Sequence, residues 1–311
     1  MQTILGSGGA IGTNLAKALT AYTNDIRLVS RNPKKVNTND HLFPADLKKK
    51  EDVFNAIKGS EVVYVTIGFE YKLSVWQQEW IPFIHNVLEA CEKFNARLVF
   101  FDNIYALNKN SISHITEESP INPSSKKGKV RAEIDRLILN AINDKKIDAI
   151  IARAPDFFGS EKKQNSLLMN LIYDNFKKGK SAQWFGNAKA IHTMGYTPDL
   201  AKGTAILGNT VDAYNQIWNL PTSDETLTGK QWVSLFANEM KTKDKVSVLP
   251  SWMLKLLGLF IPVLGEMYEM SYQFEQDYFF DSTKFKKRFN YTPTSNREAV
   301  KEIVQTLSST T

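Results

Sequence analysis

Apolar and polar positions follow two alternating periods through the first half of the chain. Short apolar runs rich in β-branched residues fit buried strands, and longer stretches with apolar residues every three or four positions fit helices. The predicted strands are a run ending at Gly6, residues 25–30, a short run before Asp46, and residues 61–68, 97–102 and 148–154. The predicted helices are residues 11–22, 49–58, 74–94 and 126–144. This alternation predicts an α/β fold, a doubly wound parallel sheet with right-handed crossovers and helices on both faces.

The second half of the chain has a different pattern. Beyond about residue 160 the alternation weakens, and helical patterns dominate at residues 165–178, 229–241, 251–278 and 296–307. We therefore expect a sheet domain at residues 1–160. A smaller, mainly helical C-terminal substrate lobe is predicted at residues 161–311, interleaved with the last strands of the sheet.

Composition narrows the class of protein. The chain has 39 basic and 33 acidic residues, a net charge of +6, and its basic clusters lie far apart, as on solvated helix faces. No nucleic-acid-binding motif accompanies them, so no nucleic-acid partner is expected. Cys91 is the only cysteine, which suits a reducing cytoplasm, and no Cys/His or close carboxylate cluster suggests a metal. The N-terminus predicts no signal peptide, and the longest apolar stretch, 252–264, contains Lys255 and is too short to span a membrane.

A glycine-rich loop joins the first predicted strand to the first predicted helix. It reads Gly6, Ser7, Gly8, Gly9, Ala10, Ile11 and Gly12. Glycine tolerates positive φ and lets backbone N–H groups approach a phosphate, and the following helix N-terminus favours an anion. At a first strand–helix junction this arrangement is typical of a Rossmann-type dinucleotide site. The alternative is a glycine turn that serves packing alone.

The end of the second strand predicts which dinucleotide binds. Sites that bind the adenine-ribose hydroxyls of NAD place an acidic residue at this point. This chain has Ser30, Arg31 and Asn32 there instead. An arginine pairs with the 2′-phosphate of NADP and can stack on adenine. NADP is therefore predicted over NAD, with a solvated turn role for Arg31 as the alternative.

Spacing and motifs together resemble a known superfamily. Gly6, Gly9 and Gly12 fit the G-x-x-G-x-x-G spacing of extended short-chain dehydrogenases/reductases. Segments 127–133, 153–159, 192–203 and 272–294 resemble an atypical group described as NAD-dependent epimerase/dehydratase-like. The resemblance implies cofactor contacts from Asp46 and Leu47 at the adenine, from Thr66, Ile67 and Gly68 at the ribose, and from Lys127, Arg131, Pro155 and Phe157.

The chain departs from this superfamily at its catalytic pair. The extended branch carries Tyr-x-x-x-Lys at the start of the long helix, and here Lys127 and Arg131 occupy those positions. Asn103 stands where relatives hold a Ser or Thr that bonds the substrate oxygen. Tyr105 is the first candidate for the catalytic acid/base and Lys127 is the second. The alternative for Tyr105 is an aromatic that only packs, and the alternative for Lys127 is a solvent-facing lysine. Arg131 is expected to hold a ribose, a phosphate or a substrate carboxylate.

Two functions from different classes follow. The first is an NADP(H)-dependent oxidoreductase or epimerase-like enzyme acting on a small carbonyl or hydroxyl substrate, with Asn103, Tyr105 and His192 facing that substrate. The second is a non-catalytic NADP(H)-binding redox sensor or scaffold, which the missing Tyr/Lys pair favours. His192 also fits a purely structural role. We expect a cytoplasmic monomer or homodimer whose partner is a small molecule.

Overall fold

The computed structural model describes residues 1–309, so the last two residues of the predicted lobe, 310 and 311, lie outside the described chain. Its strands are β1 (Gln2–Leu5), β2 (Ile26–Ser30), β3 (His41–Pro44), β4 (Val62–Val65), β5 (Arg97–Asp102), β6 (Ala149–Arg153), β7 (Phe157–Phe158), β8 (Ala182–Phe185), β9 (Gly195–Tyr196), β10 (Gln216–Asn219) and β11 (Val246–Leu249). Its α-helices are α1 (Ala10–Leu19), α2 (Lys50–Ile57), α3 (Leu73–Phe94), α4 (Lys126–Asn143), α5 (Asp174–Lys177), α6 (Thr197–Gly208), α7 (Gly229–Glu239), α8 (Ser251–Leu257), α9 (Pro262–Tyr268), α10 (Thr283–Phe289) and α11 (Asn296–Ser309).

Seven strands form one parallel sheet in the order β10-β6-β5-β4-β1-β2-β3. The chain starts in the middle, moves outward through β2 and β3, then returns to the other side of β1 with β4. The strand order therefore reverses between β1 and β4, where the two connections leave in opposite directions and open a crevice at the carboxyl ends. The predicted doubly wound Rossmann-type fold is confirmed.

Apolar side chains of the sheet pack on both faces, as a parallel sheet requires. One core joins the sheet to α2, α3 and α4, with Phe83 and Ile134 fully buried in it. The other core joins the opposite face to α1 and α6, with Leu15 and Leu200 fully buried.

The chain beyond residue 160 contributes to both the sheet unit and a second core. Helix α6 and strand β10 complete the sheet unit. A third cluster, around Trp184, Trp232 and Phe236, packs α7, α11 and the paired strands β8 and β11 into the lobe. The division of the chain at residue 160 stays a prediction.

The prediction of one continuous helical stretch at 251–278 is wrong. The structure has two short helices, α8 and α9, followed by a 3-10 turn at Ser271–Phe274. Proline has no backbone N–H and is favoured at a helix start, so Pro262 begins α9 after the turn at 258–261 rather than continuing α8.

Candidate functional site

The glycine loop has a structural side that packs against the end of β4. Gly6 has φ of +100°, and a Cβ there would lie 2.5 Å from the backbone N of Ile67. A Cβ on Gly12 would lie 2.5 Å from the carbonyl oxygen of Gly6. Because neither position has room for a side chain, these two glycines hold β1, the loop and α1 in close contact.

The other side of the loop is open. A Cβ on Gly8 would meet nothing within 4 Å, and the nearest atom to one on Gly9 would be 3.4 Å away. Ser7 is buried, yet its hydroxyl has no hydrogen-bond partner in the protein. Helix α1 begins beside them with no side-chain cap and no acidic residue in its first turn. The positive end of α1 is therefore free to receive an anion.

A cleft of about 650 Å³ runs along the carboxyl ends of the strands at the switch point. Most of the sequence-predicted site residues line it: Gly6, Gly8, Gly9, Ala10, Ile11, Arg31, Asp46, Leu47, Thr66, Ile67, Gly68, Asn103, Arg131, Pro155 and Phe157. The loop, the end of β2 and the ends of β4 and β5 thus meet in one cavity.

The remaining predicted site residues do not themselves line this cleft, although Ser7 and Gly12 belong to the loop and helix beside it. They are Ser7, Gly12, Asn32, Tyr105, Lys127 and His192. Sequence reasoning also missed Trp76 and Trp80 of α3, which line the cleft from the side of the long helix. Their spacing of four residues gave a signal, since it places both rings on one face of α3.

Arg131 lies in a buried network of charges at the floor of the cleft. Its Nε donates to Asp102 Oδ1 at 2.8 Å and its Nη2 bonds the same oxygen. Arg153 Nη2 donates to Asp135 Oδ2 at 2.7 Å, and its Nε lies 4.0 Å from Asp102 Oδ2. The Arg131 guanidinium also lies 4.6 Å from the ring of Trp80. Arg131 is therefore a fixed cation that forms part of the cleft wall.

The carboxylates of Asp135 and Asp102 are buried close together, so a negative charge on one disfavours a negative charge on the other. Burial and the neighbouring Asp102 raise the pKa of Asp135 to about 7, against the opposing effect of Arg153. Asp135 Oδ1 and Asp102 Oδ2 are both buried without a hydrogen-bond partner in the protein. The network therefore takes up a proton near neutral pH.

Lys127, at the position of the missing tyrosine, is fully buried and held by helix α9. Its ammonium forms an ion pair with Glu266, donates to the Glu266 carbonyl oxygen at 3.2 Å and lies 3.4 Å from Glu269 Oε2. Both Glu266 carboxylate oxygens also accept from the backbone N of Leu73, at 3.2 Å each, at the start of α3. Burial acts to raise the pKa of Glu266, but Lys127 and the Leu73 N–H hold it below its ordinary value. The solvent-facing alternative for Lys127 is wrong, because α9 covers its ammonium.

Tyr105 follows β5 and packs beside the start of α3. Its ring stacks on Trp76 with centroids 6.1 Å apart, and its phenol is hydrogen-bonded to the hydroxyl of Tyr71. The side chain of Asn103 accepts from the backbone N of Tyr105 at 2.9 Å, which fixes the turn after β5. Burial, with Tyr71 and Asp156 nearby, raises the pKa of Tyr105 well above its ordinary value. Tyr105 is thus a neutral phenol close to the cleft, and Tyr71 is a further candidate that sequence reasoning missed.

His192 is buried in an aromatic cage in the lobe. Its Nε2 lies 3.0 Å from Asp156 Oδ2, and its ring stacks on Phe274 with centroids 4.5 Å apart. Asp156 lies between Pro155 and Phe157, which line the cleft. His192 is therefore linked to the cleft through Asp156. Within residues 1–309 no group of three or more metal-ligating side chains is present.

Residues 3–220 match the model of the NAD dependent epimerase/dehydratase family. The chain belongs to this family. Comparison with curated proteins finds no match.

Solved structures of the same fold include sugar-nucleotide enzymes of this type. UDP-glucose 4-epimerase from Thermus thermophilus, in complex with NAD, has a TM-score of 0.80 at 16% identity and covers 100% of both chains. UDP-N-acetylglucosamine 4-epimerase from Methanobrevibacter ruminantium, in complex with UDP-N-acetylmuramic acid, has a TM-score of 0.82 at 16% identity over 100% of this chain and 98% of that one. A double mutant of dTDP-glucose 4,6-dehydratase from Streptomyces venezuelae, with NAD and DAU bound, has a TM-score of 0.79 at 14% identity over 98% and 96%. At these identities the likeness shows the fold, and the family match carries the classification.

Proposed function

We propose that this family member is an NADP(H)-dependent oxidoreductase or epimerase-like enzyme acting on a small carbonyl or hydroxyl substrate. The observation that supports a dinucleotide is the open side of the glycine loop. A Cβ on Gly8 would project into empty space, the Ser7 hydroxyl lacks a partner, and the N-terminus of α1 has no carboxylate beside it. These groups fit a pyrophosphate.

Arg31 supports NADP(H) rather than NAD(H) as the preferred form. It is exposed, lines the cleft at the end of β2, and forms no ion pair within residues 1–309. Its neighbour Ser30 also lines the cleft and carries no charge to repel a 2′-phosphate. Two of the three solved structures described above hold NAD, so the preference rests on Arg31 alone.

The proposed chemistry uses the phenol of Tyr105, which packs on the cleft-lining Trp76, as the proton donor to the substrate oxygen. The bound nicotinamide ring supplies or accepts the hydride. The phenol of Tyr105 carries its proton at neutral pH and can donate it to a developing alkoxide, and burial, which raises its pKa, makes it a weaker acid than an exposed tyrosine. Asn103 lines the cleft beside it, and its side-chain N–H₂ can donate to the same oxygen.

Lys127 and Arg131 have supporting roles in this proposal. The Lys127 ammonium is held by Glu266 and Glu269 and lies 4.7 Å from the Tyr71 ring, so it contributes positive charge beside that phenol. Arg131 lines the cleft while paired with Asp102, and it remains charged at any working pH. It contributes positive potential for a ribose, a phosphate or a substrate carboxylate.

A second candidate, a non-catalytic NADP(H)-binding sensor or scaffold, is favoured by the same ion pairs. Both positions that carry the catalytic tyrosine and lysine in the extended branch are engaged with carboxylates here. In the catalytic proposal, Tyr105 and Tyr71 replace the missing phenol.

The two candidates differ in turnover. Purified protein is assayed for NADPH oxidation against a panel of small aldehydes, ketones and sugar nucleotides, UDP-glucose included. For a substrate found this way, Tyr105→Phe is expected to lose about 10²- to 10⁴-fold in kcat, with exposed Tyr22→Phe as the control. Full turnover in both Tyr105→Phe and Lys127→Met overturns the proposed site. Tight NADPH binding without turnover of any panel member supports the sensor or scaffold.

Location and assembly follow as parts of the proposal. The single cysteine, Cys91, is buried and suits a reducing cytoplasm. No helix within residues 1–309 is long and apolar enough to cross a membrane. A monomer or a homodimer with a small-molecule partner remains our expectation.

A further inference from the structure

Exposed apolar side chains concentrate in one short part of the lobe. Six of the ten large hydrophobic side chains exposed among the described residues belong to positions 252–268. At the turn between α8 and α9, Leu259 is 77% exposed and Phe260 is 81% exposed, and Ile261 follows them. Trp252 on α8 is 65% exposed. We call residues 251–268 the apolar hairpin, and such a patch marks a binding surface.

The hairpin presents this patch from a fixed base. Its two helices approach so closely that a Cβ on Gly258 would lie 2.6 Å from the Cα of Gly265. Glu266 is bound to Lys127 and the start of α3, and Leu254 is buried in the lobe core. The hairpin is thus tied to the protein by one side while its turn points into solvent.

Exposed basic side chains outnumber exposed acidic ones over residues 241–268, with Lys241, Lys243, Lys245 and Lys255 against Asp244. From residue 245 to residue 265 the sequence has two charged residues, Lys245 and Lys255. Strand β11 leads into the hairpin and pairs in parallel with β8, so the residues that precede both strands meet at one end. This end carries exposed Lys178, Lys180 and Lys243 beside Lys245, whose carbonyl oxygen accepts from Ala182 N at 2.9 Å. Two basic runs that lie far apart in sequence therefore meet at the start of β11, with Asp244 among them, and the hairpin follows the other end of this four-residue strand.

We propose that the apolar hairpin docks on an anionic lipid surface. Such a surface offers an apolar interior for Leu259, Phe260 and Trp252 and negative headgroups for the lysines. A second copy of this chain is the other occupant that such a patch can take, and the variants below distinguish it from lipid. Helix α8 has seven residues, about 10 Å, so the hairpin lies in the interface and does not span it. The sequence predicts no membrane partner, because residues 252–264 are too short to span a bilayer and the helical spacing of residues 252–272 favours a core or pocket-lid role; binding in the interface does not need spanning length.

Trp252 reports on this contact directly. The other five tryptophans are at most 5% exposed, so acrylamide quenches mainly Trp252. Full-length protein is titrated with vesicles of phosphatidylcholine alone or with added phosphatidylglycerol. The proposal expects quenching to fall, and protein to co-sediment, with the anionic vesicles. The absence of both effects with anionic vesicles overturns it.

Matched variants separate lipid docking from self-association. The double change Leu259→Ser and Phe260→Ser is expected to weaken vesicle binding by about tenfold or more, whereas Val211→Ser, at a 79% exposed site elsewhere, leaves it unchanged. Lys243→Gln and Lys245→Gln are each expected to weaken binding about fivefold. Equal loss in Val211→Ser, or a dimer in size-exclusion chromatography that Phe260→Ser dissolves without any vesicle binding, contradicts the proposal.

Discussion

The dinucleotide cleft and the cluster around Lys127 are neighbours built in opposite ways. The cleft is open, and its glycine loop offers backbone groups and empty space at Gly8. In the cluster, charged side chains form ion pairs within the protein, such as the pair of Lys127 and Glu266. The difference teaches that the space for a ligand lies at the glycine loop, whereas Lys127 and Arg131 are engaged in ion pairs. Any proton transfer must then come from side chains beside them, such as Tyr105 and Tyr71.

We expect the largest effect on cofactor affinity from a side chain that fills the empty space at Gly8. Gly8→Val should weaken NADPH and NADH binding by about 10²-fold or more, because the side chain fills the space of the pyrophosphate and removes charge-assisted contacts. Fluorescence titration measures the affinities. The melting temperature should stay near wild type, since a Cβ at Gly8 meets nothing within 4 Å. Unchanged affinity in a folded Gly8→Val variant would remove the loop from the cofactor site.

The relative affinity for NADPH and NADH tests the role of Arg31 in the cleft. NADPH should bind about 10- to 150-fold more tightly than NADH, because a charge-assisted pair with Arg31 contributes about 1.5–3 kcal/mol. Arg31→Ala should remove most of that difference and leave NADH affinity unchanged. Lys34→Ala is the control, since Lys34 is exposed nearby and does not line the cleft. Equal affinities for both dinucleotides in the wild type contradict the assignment.

The ion pairs around Lys127 predict that replacing this lysine lowers the stability of the protein rather than its affinity for the cofactor. Lys127→Met should lower the free energy of unfolding by about 1–3 kcal/mol, since Glu266 and Glu269 lose their partner but keep some contact with water. Lys129→Met, on the exposed side of the same helix, should change it by less than about 0.5 kcal/mol. Chemical denaturation measures both. A Lys127→Met variant as stable as Lys129→Met would mean that the ion pairs do not hold α9.

A further effect concerns pH. The pKa of Asp135 in the folded protein, about 7, lies above the ordinary value of 3.8, so between these values the folded state binds more protons than the unfolded one. The contribution of Asp135 to stability therefore falls as the pH rises from about 4 to about 7. The unfolding free energy of Asp135→Asn minus that of wild type should become more positive from pH 5 to pH 8. A difference that is flat with pH argues against a shifted Asp135.

Local patterns were enough to predict the sheet and most of the cleft. A strand, a glycine loop and a helix are contiguous in sequence, and the carboxyl ends of parallel strands meet at one edge, so Gly8, Arg31 and Asn103 could be placed in one cavity. The partners of Lys127 could not be found this way. Glu266 lies 139 residues further along the chain, and only the packing of α9 brings it to the start of α4.

The tyrosines show the same limit. Tyr105 was predicted from its place after a strand, whereas Tyr71 precedes α3 and meets it only because β4 and β5 are neighbours in the sheet. The break at 258–261 was missed because α8 and α9 share one continuous apolar pattern, which gives the period of a helix but not its end.

Calorimetric titration of the wild-type protein with NADPH and with NADH tests the central claim most directly. The account predicts one binding site per chain, with NADPH bound more tightly, and loss of binding in the folded Gly8→Val variant. Absence of binding for both dinucleotides to folded wild-type protein would contradict it.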